Sequence, residues 1–150
     1  MAVSSGLYFL TFEKMAIDTL GESLEAEDHT GHLVTDSYTP NFATHDFHAD
    51  LTNEITGGNY AADTLTTTEV TTSGTVLFVY DHDDAVYDNG GSDDVTISSA
   101  EALVMATNVG SSATNQLVYC LDFGSPVSCT NSLLTVAINA SGVFSIDLVP

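Results

Sequence analysis

Positive charge is almost missing from this chain. Lys14 is the single basic residue among 150, arginine does not occur, and 21 aspartates and glutamates set the formal charge at −20. Gripping nucleic acid through its phosphates requires clusters of Lys and Arg, and so does adsorption to an anionic membrane; this composition excludes both. Tryptophan is absent, proline occurs three times and cysteine twice. No apolar run approaches the ~20 residues of a membrane-spanning helix. Met1 to Ser5 carries no positive charge, and the apolar stretch Leu7 to Phe12 contains Thr11 and stops at Glu13. An export signal is therefore not expected, and synthesis in the cytoplasm of the host is.

With one cation, at most one carboxylate can find an intramolecular lysine or arginine partner. The rest are solvated or attract ions from solution. The Debye length is ~10 Å near 0.1 M salt and ~3 Å near 1 M, so their mutual repulsion fades in brine. Depletion of Lys and Arg, more than acid content alone, points to a saline or halophilic setting; an ordinary acidic protein kept soluble by its charge is the alternative. Hydrophobic residues make up 43% of the chain and charged ones 15%, enough apolar material for a core and against disorder. The length suits one domain, residues 1–150, and excludes a two-domain enzyme.

Tyr8, Phe12, Met15, Ala16 and Leu20 recur at three- and four-residue steps, which predicts an N-terminal helix packed on a sheet and stopped at Gly21. Ser23 to Asp28 reads as acidic and exposed, and His29 to Val34 as a first strand. Ser37-Tyr38-Thr39-Pro40-Asn41 is a turn signal. Thr44 is placed to cap a second, short helix carrying Asp46 in its first turn, with Phe47 and Leu51 facing the core. Gly57-Gly58-Asn59-Tyr60 closes that piece. Strands are then expected at Leu65 to Thr72, Thr75 to Tyr80, Val95 to Ile97, Glu101 to Ala106, Gln116 to Leu121, Leu133 to Ile138 and Val143 to Val149, with a short piece at Ala85 to Tyr87. The last two long strands flank Asn139-Ala140-Ser141-Gly142 and read as a hairpin. The expected class is mainly β: an antiparallel β-sandwich or barrel with an N-terminal helix and one short additional helix.

Candidate chemistry is thin. Cys120 and Cys129 flank Asp122-Phe123-Gly124-Ser125-Pro126, a turn-rich stretch able to fold them together; a disulfide and two free thiols both fit, and cytosolic origin favours thiols. Neither cysteine has a second Cys or a His at zinc-ligand spacing. Six carboxylates at Asp81, Asp83, Asp84, Asp88, Asp93 and Asp94 offer hard oxygens, but the spacing is not that of an EF-hand, and a solvated acidic loop is the plainer reading. His45, Asp46 and His48 lack a nearby third ligand, and His82 lies in a different segment; helix-end hydrogen bonding and surface filling account for them. No Gly-x-Ser-x-Gly elbow, Gly-x-Gly-x-x-Gly or Walker loop occurs, although Ser, His and Asp are plentiful. Asn139-Ala140-Ser141 matches a glycosylation sequon and serves equally as a turn. No catalytic, cofactor-binding or metal-ligating residue is assigned, and an enzyme is not expected.

Two stretches carry a resemblance. His32-Leu-Val-Thr-Asp-Ser-Tyr-Thr-Pro-Asn-Phe-Ala-Thr-His-Asp-Phe-His-Ala-Asp-Leu-Thr-Asn-Glu-Ile-Thr-Gly-Gly-Asn-Tyr60 is similar to the strand, "SYTP" turn, "THDF" helix and glycine-tyrosine segment of small virion proteins of tailed phages and related tailed viruses. Leu117-Val-Tyr-Cys-Leu-Asp-Phe-Gly124, followed by Leu133 to Ile146, resembles the closing "Y-x-D-F-G" strand and terminal hairpin of that family. The resemblance implies a structural part of the particle with no catalytic residues: a capsid decoration (cement) protein on the outside of the head, or a tail or fibre-base component. Its partners would be the major capsid protein and copies of itself, as a homotrimer at threefold positions. The chain departs from the family pattern in its near-total lack of basic residues and its Asp81 to Asp94 loop. Repulsion from packaged DNA independently favours the outer surface of the virion. A halophilic extracellular enzyme or sugar-binding β-domain is the remaining alternative.

Overall fold

The computed structural model describes residues 3–17, 23–25, 29–66, 69–73 and 77–147. Strand makes up 47% and helix 9%, which settles the class as mainly β, sandwich-like and without a closed barrel. In chain order the elements are β1 (Gly6–Leu7), α1 (Phe9–Ala16), β2 (His29–Thr35), a single 3₁₀ turn (His48–Asp50), β3 (Asp63–Leu65), β4 (Glu69–Ser73), β5 (Leu77–Asp81), β6 (Ala85–Tyr87), β7 (Val95–Thr107), β8 (Leu117–Ser132), β9 (Leu134–Val136) and β10 (Phe144–Asp147). They form a five-stranded sheet ordered β1-β8-β7-β2-β3, a three-stranded sheet β10-β5-β4 and a pair β6-β9. Every pairing is antiparallel.

β7 is the spine, and its sequence explains why. From Ala102 to Thr107 every residue is buried, so this strand is covered on both faces rather than alternating between core and water. Leu103 and Met105 point into one apolar cluster with Leu33, Tyr80, Tyr87 and Tyr119. Ala102, Val104 and Ala106 point into a second, with Val34, Tyr8, Tyr38 and Leu117. Period-two alternation of large and small side chains thus serves two cores at once. Opposite it, Met105 pairs with Tyr119 and Ala106 with Leu117, so Val118 is an extra residue that bulges into the first core.

Several expectations are corrected. The N-terminal helix is shorter than the Tyr8 to Leu20 stripe: Tyr8 is its buried cap residue, Thr11 is its one fully buried position, and Thr11 donates a hydrogen bond to the Leu117 carbonyl. Leu20 and the Gly21 stop lie outside the described residues. Within Ser23 to Asp28, Leu24 is buried in the first core. Thr44 caps no α-helix. The second helix is one 3₁₀ turn, held where the Asp50 carboxylate accepts the Asp46 and Phe47 N–H groups at 2.9 and 3.0 Å. Val95 to Ile97 and Glu101 to Ala106 belong to one continuous strand.

The Asp122 to Pro126 stretch does not turn back. β8 runs through it, and the surplus is absorbed as a wide irregularity: Ala100 to Ala102 is two steps on β7, against five steps from Asp122 to Val127 on β8. Gly124 sits there at φ 75°, with its N–H bonded to Asp122 Oδ1 at 2.8 Å. Cys120 and Cys129, both free, stand opposite Val104 and Ile97, seven residues apart on β7 at ~3.3 Å each, far beyond the ~7 Å Cα limit of a disulfide. The terminal hairpin is also absent. The Asn139 to Gly142 turn forms, but β9 pairs with β6 and β10 with β5.

Candidate functional site

Among the described residues, a close group of ligand-type side chains lies where β2 meets the segment after the 3₁₀ turn. Alternation along β2 sends Thr30, His32 and Val34 to one face, and Val34 forms a bridge to Glu54 that brings that carboxylate alongside. Ile55 N–H to the Leu33 carbonyl at 2.8 Å and Thr35 N–H to Asn53 at 3.0 Å clamp the register on either side. His48 arrives on the 3₁₀ turn, its own N–H bonded to the Asn115 carbonyl at 2.8 Å.

Glu54 is the hub. His32 Nδ1 lies 2.8 Å from its Oε1, His48 Nε2 lies 3.5 Å from its Oε2, and the Tyr60 hydroxyl donates to Oε1 at 3.2 Å. Tyr60 in turn accepts the Leu33 N–H at 2.8 Å, so its ring is locked to the sheet. The two imidazoles overlap with centroids 4.0 Å apart. Side-chain exposure grades outward: 6% for His32, 23% for His48 and 28% for Glu54. The group therefore has a dry floor and a wet rim.

Burial alone would raise the Glu54 carboxyl, but the hydrogen bonds and charge of His32 and then His48 outweigh it and hold it below the usual carboxylate range. Burial, and next the neighbouring His32 ring, push His48 below the ordinary imidazole value, with Glu54 pulling partly back. Burial raises the Tyr60 phenol, which keeps it a hydroxyl donor. Near neutral pH this arrangement is a carboxylate facing an uncharged His48. Thr30 Oγ1, 2.9 Å from His32 Nε2 and 3.4 Å from the Ala106 carbonyl, can donate to either, so it supports both tautomers of His32.

Residues grouped by sequence separate in space. His45 turns to the buried tyrosine pair, its Nδ1 3.2 Å from Tyr38 Oη, which lies 2.7 Å from Tyr8 Oη. Asp46 takes both carboxylate contacts of Lys14 at 2.7 Å, while the same ammonium reaches Gln116 at 2.9 Å. Only His48 joins the cluster. His32 and Glu54 went unassigned in the sequence because no spacing rule links positions 32, 48 and 54. The available signal was a histidine on the inward face of a strand.

The acidic stretch Asp81 to Asp94 is spread over several supports. Asp83 accepts from Thr66 at 3.0 Å, Asp84 from the Ile138 N–H at 2.7 Å, and Asp94 from Asn89 at 2.7 Å and Asn59 at 3.3 Å. These carboxylates tie loops together. Asp83 and Asp84 also border an open depression of about 600 Å³ with Asp63 and Thr66. Burial raises the Asp63 carboxyl, against the pull of the Val86 and Thr64 N–H groups. Among the described residues, the one group of three ligand-type side chains whose donor atoms all lie within 4.8 Å is His32, His48 and Glu54. No family model, no curated protein and no solved structure matches this chain.

Proposed function

We propose that this chain is a virion structural protein: a capsid decoration protein that binds the outside of a tailed-virus head as a homotrimer, contacts the major capsid protein, and works in a saline medium. The observation that carries the exterior placement is the fate of Lys14. The only lysine or arginine side chain in the sequence is held by Asp46 and Gln116. No lysine or arginine is left over to engage phosphate, and packaged DNA would repel a chain of net charge −20.

The means of gripping protein neighbours is an open sheet edge. β1 covers β8 only at Tyr119 and Cys120, so from Asp122 to Ser132 the outer side of β8 has no strand among the described residues. Past the Gly124 to Pro126 irregularity, the edge from Val127 to Ser132 can accept a strand from another chain, and its exposed Ser128, Thr130, Asn131 and Ser132 side chains keep it from doing so indiscriminately. Ser37, Thr39 and Asn41 are exposed and available for contact, whereas Tyr38 between them is buried in the second core.

Counting copies per purified particle by quantitative mass spectrometry tests the reading. Hundreds of copies, with purified protein rebinding heads that lack it, are the expected result. A handful of copies would move it to the tail or fibre base. Absence from particles would leave the halophilic enzyme or sugar-binding domain.

A further inference from the structure

We propose that His32, His48 and Glu54 bind one divalent transition-metal ion of the zinc class, through Nδ1 of His32, Nε2 of His48 and the Glu54 carboxylate, with water in the fourth position. The inference is independent of where the protein works.

The donor set selects the ion. Two imidazole nitrogens and one carboxylate suit Zn²⁺, Co²⁺ or Ni²⁺, whereas Ca²⁺ and Mg²⁺ take oxygen ligands. Spacing agrees: with metal–ligand bonds of ~2.0–2.2 Å, neighbouring ligand atoms of a tetrahedral site lie about 3.3 Å apart. His32 Nδ1 lies 2.8 Å from Glu54 Oε1 and His48 Nε2 3.5 Å from Oε2, on either side of that value, and one donor atom from each of the three residues lies within 4.8 Å of the others, so a small closure completes the site. The overlapped rings need only separate slightly, and His48 is the more exposed of the two.

A supporting shell is in place. When His32 Nδ1 gives its proton up to a metal, Nε2 becomes the protonated nitrogen and donates to Thr30 Oγ1, whose own hydrogen then turns to the Ala106 carbonyl. Tyr60 donates to Oε1, the carboxylate oxygen nearest His32, while accepting the Leu33 N–H. Ligating histidines are oriented by such outer hydrogen bonds. The rim at His48 and Glu54 leaves an approach for the ion and for water. Bound metal would pin the excursion from Thr35 to Tyr60 onto β2.

The test uses the full chain, treated with chelator and dialysed into molar NaCl, then titrated with Zn²⁺ by calorimetry and with Co²⁺ by visible absorption. One equivalent per chain, tetrahedral Co²⁺ bands, and a melting temperature raised by roughly 5 °C or more at ~100-fold excess over Kd are expected. His48→Gln, at the half-exposed turn, should weaken binding at least tenfold, and His45→Gln should leave it unchanged. Glu54→Gln should also weaken it; if that variant fails to fold by circular dichroism, the His48→Gln result decides. Absence of stoichiometric uptake, or uptake that His48→Gln does not reduce, as adsorption to the acidic loops would give, overturns the proposal.

Discussion

His82 Nε2 lies 2.6 Å from the Tyr119 hydroxyl, while its Nδ1 lies 2.5 Å from the Asp83 carbonyl oxygen. A carbonyl only accepts, so Nδ1 carries the proton; Nε2 is then a lone pair and Tyr119 is the donor. Two buried polar groups from distant parts of the chain complete each other, and this joins the residue just after β5 to the start of β8.

Removing that hydroxyl should be expensive. Tyr119→Phe leaves the His82 lone pair buried without a donor, at about 1–3 kcal/mol. For a chain of this size that corresponds to a melting temperature lowered by roughly 3–10 °C. A thermal melt equal to that of the parent protein would show that the contact contributes nothing.

The same pair gives a pH dependence with a definite sign. Burial depresses His82 below the ordinary imidazole value, although Asp83 through its backbone and the Asp81, Asp83 and Asp84 charges pull the other way. The unfolded chain therefore takes a proton at a pH where the folded chain does not. The contribution of His82 should be full above the unfolded value near 6.5 and decline as pH falls from there toward the depressed one. Comparing denaturant unfolding of the parent and His82→Gln isolates this from the carboxylates: their stability difference should shrink on acidification, and a constant difference would refute it.

Gly58 sits at φ 60° with its carbonyl accepting the Thr96 N–H at 2.7 Å. A methyl group there would press into the Thr96 carbonyl, in a backbone conformation that already costs an L-residue ~1–2 kcal/mol. Gly58→Ala should lose about 2–4 kcal/mol. Gly57, at φ 76° with nothing within 4 Å of an added Cβ, should lose only the conformational part. Equal urea midpoints for the two variants would contradict the packing argument.

Salt should stabilise the fold. Raising NaCl from low to molar concentration shortens the Debye length to ~3 Å and screens the carboxylates that line the Asp81 to Asp94 region. The melting temperature should climb by several degrees, by differential scanning calorimetry. A flat response would count against a saline habitat.

How much of this was readable in advance depends on the range of the interaction involved. Local runs of strand-forming residues mark β2, β6 and two pieces of β7, whose union across Ser98 to Ala100 they do not show, and the Gly57 to Tyr60 turn carries its own glycines at φ 76° and 60°. The length of α1 was less legible, because its buried anchor is a threonine bonded to β8 and not the apolar stripe alone. The passage of β8 through Gly124-Ser125-Pro126 was illegible: residues that favour a turn became a bulge because the neighbouring strand β7 kept pairing on either side.

The spacing of strand-forming runs and turn residues determined the mainly-β class, and composition determined the anionic excess, since one lysine can pair with at most one of 21 carboxylates. Tertiary structure decided which strands became neighbours and which side chains met. The Asn139 to Gly142 turn is a local fact, yet the strands around it pair elsewhere, β9 with β6 and β10 with β5. Likewise His45, Asp46 and His48 lie within four consecutive positions and point to Tyr38, Lys14 and Glu54 in turn. A convergence of His32, His48 and Glu54 is set by the register of Val34 against Glu54, which exists only once the chain has folded back on β2.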